Sequence, residues 1–159
     1  MLSFRKILCG ILFLTSSCGF SPINNNLYSE NLTKKISLQK PSTQNEFVFY
    51  SHLKNHFGEN RNKYILNYTL STVKKDRASN TDNDVHRIEI SGSVKFTLKE
   101  LESGIELISD EEEAYLSYSN FGSAAAVLNA ERTTNRQLVV LLAEKVADRI
   151  SLVNFEEGS

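Results

Sequence analysis

The longest regular pattern in the chain runs from His86 to Leu101. Ile88, Ile90, Val94, Phe96 and Leu98 take every second position, with Arg87, Glu89, Ser91, Ser93, Lys95, Thr97 and Lys99 between them. Side chains alternate across a strand, so this spacing predicts a strand with one buried and one wet face. Gly92 takes the missing apolar place, which predicts a bulge or bend there. Glu102-Ser103-Gly104 reads as a hairpin turn, with Gly104 free to take a positive φ. A partner strand follows over Ile105 to Ser119. Its apolar parity changes on the way: Ile105 and Leu107 are odd, while Ala114, Leu116 and Tyr118 are even. One extra residue within Asp110 to Glu113 restores the facing, so a bulge is expected in that acid run.

The other elements follow from the same two periods. Lys34 to Lys40 alternates, with Ile36 and Leu38 on one face, and predicts a short strand ended by Pro41. Ser42 or Thr43 can cap a helix, with Glu46 in its first turn. That helix is expected over Thr43 to Phe57, with Phe47, Tyr50, Leu53 and Phe57 on its apolar stripe, Val48 and Phe49 widening it, and Gly58 as its stop. Lys63 to Lys74 sets Tyr64, Leu66, Tyr68 and Leu70 against Ile65, Asn67, Thr69 and Ser71, a half-buried strand. Lys75 to Asp84 is charged and polar and reads as an exposed loop or the long end of a hairpin. Past Phe121 the period becomes helical. Ser123 can cap a long helix to about Val153, with Leu138, Leu142 and Val146 on one stripe and Val139 and Ile150 beside it. The order β-α-β-β-β-α predicts an α+β fold: a two-layer sandwich, with a mostly antiparallel four-stranded sheet and two helices on one face.

The start of the chain is of a different kind. Arg5 and Lys6 precede an uncharged apolar run, Ile7 to Thr15, then Ser16, Ser17 and Cys18. This is the layout of a secretory signal, and the run is shorter than the ~20 residues of a membrane span. A cysteine at the first mature position implies lipidation at Cys18, although Thr15 stands three residues before it where Leu is usual. Gly19, in the place where Asp would be a retention signal, directs such a protein to the outer membrane. The expected divisions are 1–17 signal peptide, 18–32 tether, 33–155 a single domain and 156–159 a loose tail. Of 159 residues, 18 are basic and 19 acidic; removing a signal that holds two of the basic ones leaves a formal charge of −3. That offers no basic field for nucleic acid. The second cysteine, Cys9, leaves with the signal, so no disulfide is expected.

Candidate chemistry is sparse. His52 and His56 are four apart on one helix face, half of a metal site with no third ligand at a suitable spacing, and read as exposed helix histidines. Asp110 to Glu113 could bind calcium only if the acids converged from a loop; in a strand they point alternately to opposite faces. No phosphate loop, nucleophile motif or metal-spaced cluster is present, so neither an enzyme, a cofactor nor a metal is expected. The stretch Asn129 to Gln137 holds only one apolar residue, Ala130, on an otherwise amphipathic helix. Such a stretch either projects past the sheet or meets a polar partner. With the neighbouring junction it makes Phe121, Glu131, Arg132 and Arg136 candidate partner-binding residues.

Cys18-Gly19-Phe20-Ser21-Pro22 resembles the Cys-Gly-Phe-x-Pro start of mature LPS-assembly lipoproteins, the LptE family. Ala114-Tyr115-Leu116-Ser117-Tyr118, Ala130-Glu131-Arg132 and Leu142-Ala143-Glu144 through Arg149-Ile150 are similar, in order, to that family's strand, helix start and helix end. The resemblance implies a non-enzymatic lipoprotein, held in the outer membrane by its lipid. It would plug its β-barrel partner LptD from the periplasmic side, support barrel assembly and aid LPS delivery. LPS is a further possible partner. Lys34, Lys35, Arg87, Lys95 and Lys99 are candidate LPS contacts only as cations on or beside strands, able to meet lipid phosphates. The alternative is another periplasm-facing lipoprotein, or a secreted inhibitor-like binding module, of the same helix-on-sheet form.

Overall fold

A computed structural model of the chain describes residues 36–57, 63–77 and 87–153. The signal, Cys18, the tether, Lys34, Lys35, Gly58, the expected Lys75–Asp84 loop from residue 78 onward and the tail lie outside them. In chain order the elements are β1 (Ile36–Leu38), α1 (Gln44–Phe57), β2 (Tyr64–Arg77), β3 (Arg87–Glu100), β4 (Glu106–Ser119) and α2 (Ala124–Ser151). The sheet order is β1-β2-β3-β4. β2, β3 and β4 form an antiparallel meander, while β1 lies parallel to β2, with Ile36 beside Tyr64. The parallel pair follows from the connection: α1 carries the chain back along the sheet before β2 begins.

Both helices pack on the face carrying the even-numbered residues of β2 and β3. Leu66, Val94, Phe96 and Leu98 are fully or almost fully buried there, against Phe49, Leu53 and Phe57 of α1 and Leu138, Val139, Leu142, Val146 and Ile150 of α2. The rings of Phe49 and Tyr68 meet at 4.8 Å between centroids, tilted by 53°. The α1 stripe is therefore Phe49-Leu53-Phe57, at i, i+4 and i+8. Phe47, expected on it, is 62% exposed. The run Phe47 to Tyr50 is apolar all round the helix, so spacing alone leaves the phase of the stripe open.

The helix starts are built as expected. The Thr43 hydroxyl accepts from the Glu46 N–H at 3.2 Å, and the Glu46 carboxylate accepts from the backbone of Ser42 and Thr43 at 2.7 and 3.3 Å. This is a capping box, in which two orphan helix-end donor sets are satisfied reciprocally. The Ser42 hydroxyl also donates to that carboxylate at 2.6 Å, and this bond foremost, with the backbone N–H groups of Ser42 and Thr43, holds the Glu46 carboxyl below its ordinary pKa. Ser123 caps α2 by accepting from the Ala126 N–H at 3.3 Å.

Two expectations about the strands are corrected. Gly92 makes no bulge: Thr72, Gly92 and Ala114 stand in unbroken register. A Cβ on Gly92 would come 2.9 Å from Leu142 Cδ1 and 3.2 Å from Leu138 Cδ2, so the glycine lets α2 approach the sheet. The bulge in β4 lies outside the acid run. Leu98 faces Ile108 and Lys99 faces Glu106, which leaves Leu107 as the extra residue. The parity change therefore comes before Asp110, and Asp110 and Glu112 share the helix-side parity. They are held there because α2 reaches over the sheet edge: Arg149 Nε lies 2.7 Å from Asp110 and Lys145 Nζ 3.0 Å from Glu112. β2 continues to Arg77, which faces Arg87, so the start of the Lys75–Asp84 stretch follows the hairpin-end reading. Backbone pairing with β3 tolerates the polar side chains.

Candidate functional site

The candidate partner-binding residues gather where β4 passes into α2. The chain leaves β4 at Ser119, turns through Gly122 at φ 121°, and enters α2 at Ser123. Phe121 on this turn is 81% exposed. The first turns of α2 reach the core only through half-buried Val127 and Ala130: Ala124, Ala125 and Ala126 are exposed, as is Leu128, and Thr134 is the first buried residue of the helix. Arg132 and Arg136 are exposed and form no ion pair with a described residue.

Glu131 points inward instead. Its carboxylate accepts from Lys74 Nζ at 2.8 Å and from the Tyr118 hydroxyl at 3.0 Å, joining α2 to β2 and β4. The Lys74 bond, with Tyr118 second, lowers the Glu131 pKa, and the same bond raises that of Lys74. Four residues on, Asn135 Nδ2 donates to Asn45 Oδ1 at 2.8 Å, and Asn45 Nδ2 donates to Thr72 Oγ1 at 3.3 Å. Lys74, Glu131, Asn135, Asn45 and Thr72 line a cleft of about 270 Å³ between the helices and the sheet, with Arg132 at its side. The polar stretch of α2 thus divides. Glu131, Thr134 and Asn135 are satisfied or covered within the chain, while Asn129, Arg132, Thr133, Arg136 and Gln137 face outward. Lys74, Tyr118 and Asn45 were not singled out by sequence reasoning. The signal that could have found them is the i, i+4 pair Glu131 and Asn135 on the helix face that carries Leu138 and Leu142.

The cations on β3 share the sheet's open face without converging. Lys95 Nζ lies 3.6 Å from Glu111 and Lys99 Nζ 3.6 Å from Glu106, so each already faces a carboxylate. Arg87 is exposed at the far end of the strand, between Arg77 and Ser119. Lys34 and Lys35 lie outside the described residues. The acid run spreads over both faces, as the strand period requires. The rings of His52 and His56 meet at 5.2 Å between centroids, tilted by 55°, and His52 Nε2, buried without a hydrogen bond, is 3.6 Å from Glu144 Oε1. His52 is therefore partly covered rather than fully exposed. Among the described residues no three His, Cys, Asp or Glu side chains are grouped to hold a metal ion.

No protein-family model matches this sequence, and a search of curated proteins finds no relative. Solved structures do match. A Caulobacter crescentus CB15 protein named "putative lipoprotein" superposes with a TM-score of 0.62 at 16% identity, over 77% of this chain and 92% of its own. A "minor lipoprotein" of Acinetobacter baumannii gives 0.56 at 20% identity, over 76% and 92%. "Rare lipoprotein B" of Shewanella oneidensis gives 0.55 at 14% identity, over 74% and 92%. The chain therefore has the fold found in these lipoproteins, over nearly their whole solved length.

Proposed function

We propose that this chain is a non-enzymatic outer-membrane lipoprotein of the LPS-assembly kind, anchored through Cys18, that seats in the LptD barrel as a plug. In this role it supports barrel assembly and LPS delivery to the cell surface. The observation that carries the reading is the fold shared with three lipoproteins across about three quarters of the chain. The lipoprotein-like start ending at Cys18 and the ordered family resemblances add to it. The surface offered to the barrel is the start of α2 with its approach. Phe121 supplies an exposed aromatic, the alanines allow close contact, and Arg132 and Arg136 supply cations that no described carboxylate neutralises. Glu131 contributes indirectly, by fixing α2 through Lys74 and Tyr118. Lys34, Lys35, Arg87, Lys95 and Lys99 are the candidates for lipid phosphates.

The test is recovery of the barrel with an affinity-tagged chain. Wild type should bring down a large outer-membrane β-barrel. Arg132→Glu should recover much less, because breaking one desolvated interfacial charge pair costs on the order of 2–5 kcal/mol. Circular dichroism of the isolated variant should be unchanged. Failure of wild type to recover a barrel would end the plug reading. Full recovery with Arg132→Glu and Arg136→Glu would move the contact away from α2.

A further inference from the structure

The two edges of the sheet are unequal. β1 is three residues long, whereas β4 presents fourteen, with no strand beyond it among the described residues. A long edge offers a row of unpaired N–H and C=O groups, and proteins usually block such rows with charges, proline, bulges or shortness. β4 is blocked in its first part only, by the bulge at Leu107 and the acids Asp110 to Glu113. From Ala114 to Asn120 the sequence is Ala-Tyr-Leu-Ser-Tyr-Ser-Asn, without charge, proline or glycine. Tyr115 is 72% exposed, Ser117 and Ser119 are exposed, and Leu116 is only half-buried.

We propose that this stretch is a self-pairing edge, through which two copies of the chain join antiparallel and continue one sheet into the other. The inference does not depend on the plug reading. A second copy is the occupant because the charge pattern of β4 suits its own reverse. Directly opposed residues point to the same face, so odd positions must meet odd ones. Centring on Ser117, the middle of the uncharged stretch, sets Tyr115 against Ser119 and Leu116 against Tyr118 of the second copy, with Ser117 facing its own equivalent. Over the paired span no carboxylate faces another. Parallel pairing in register would stack both acid runs on each other.

Sedimentation equilibrium of the purified chain over a wide concentration range tests this. Wild type should show a concentration-dependent dimer. Ser117→Lys and Ser117→Glu each set like charges opposite and should be monomeric, while an equimolar mixture of the two should dimerise again. Tyr115→Lys, an independent exposed change at the same edge, should also dissociate the dimer. Thr69→Lys, on the open face but in β2, should keep it. Circular dichroism confirms the fold of each variant. A monomeric wild type would overturn the proposal and leave the edge to an extended segment of another protein. So would a dimer that survives both Ser117→Lys and Tyr115→Lys, or a mixture that fails to re-associate.

Discussion

Phe96 is 2% exposed, while the side chain of Lys95, one residue earlier, is 72% exposed. The strand period alone makes that difference, because successive Cβ atoms point to opposite faces. Phe96→Ala should therefore cost about 3–5 kcal/mol by removing atoms and leaving a cavity under the helices. Lys95→Ala gives up only an exposed pair with Glu111 and should change stability by less than about 0.5 kcal/mol. Urea unfolding of both variants checks this, and the opposite ranking would mean that the register is wrong. Both residues were legible in the sequence. Gly92 was legible as an exception but not as a cause: the space it leaves is filled by Leu142 and Leu138, some fifty residues further on, and only packing shows that.

At the scale of elements, α2 is tied to the sheet by polar contacts at three levels along β4: Glu131 with Tyr118 and Lys74, Lys145 with Glu112, and Arg149 with Asp110. The Arg149 bond, with the Glu111 N–H second, holds the Asp110 carboxyl below its usual range, as Lys74 and Tyr118 do for Glu131. A carboxyl whose pKa is depressed by folding stabilises the fold above its unfolded pKa, about 4 for these groups. That contribution fades as pH falls through the lower folded value. For Lys74 the sign is reversed. Its raised pKa stabilises fully below the unfolded value of about 10.4 and is lost as pH rises through the folded one. Glu131→Gln should therefore be less stable than wild type near neutrality, and the gap should narrow as pH drops below about 4. Urea midpoints measured from pH 7 to pH 2 check this; a constant gap would show that the carboxylate charge is not what matters. These ties explain the misplaced bulge. Read in sequence, four adjacent acids look solvent-facing throughout, so the parity change is assigned to them. The cations that bring two of them to the helix side lie more than thirty residues away.

For the whole molecule, the prediction concerns its attachment. If Cys18 carries lipid, a fatty-acid analogue fed to cells should label wild type and leave Cys18→Ala unlabelled. Equal labelling of both would remove the anchor and leave a secreted domain of the same fold. Among the described residues no helix is long and apolar enough to cross a membrane. By itself the sequence determined the order of elements, the α+β class, the faces of β2 and β3, and both helix caps. These depend on residues two to four apart, whose periods and hydroxyl or carboxylate caps act locally. The tertiary structure alone decided the parallel seat of β1, the inward turn of Glu131 and Asn135, the reason for Gly92 and the bulge at Leu107. Each is settled by contacts between segments far apart in the chain, where a side chain's role depends on which element is brought over it.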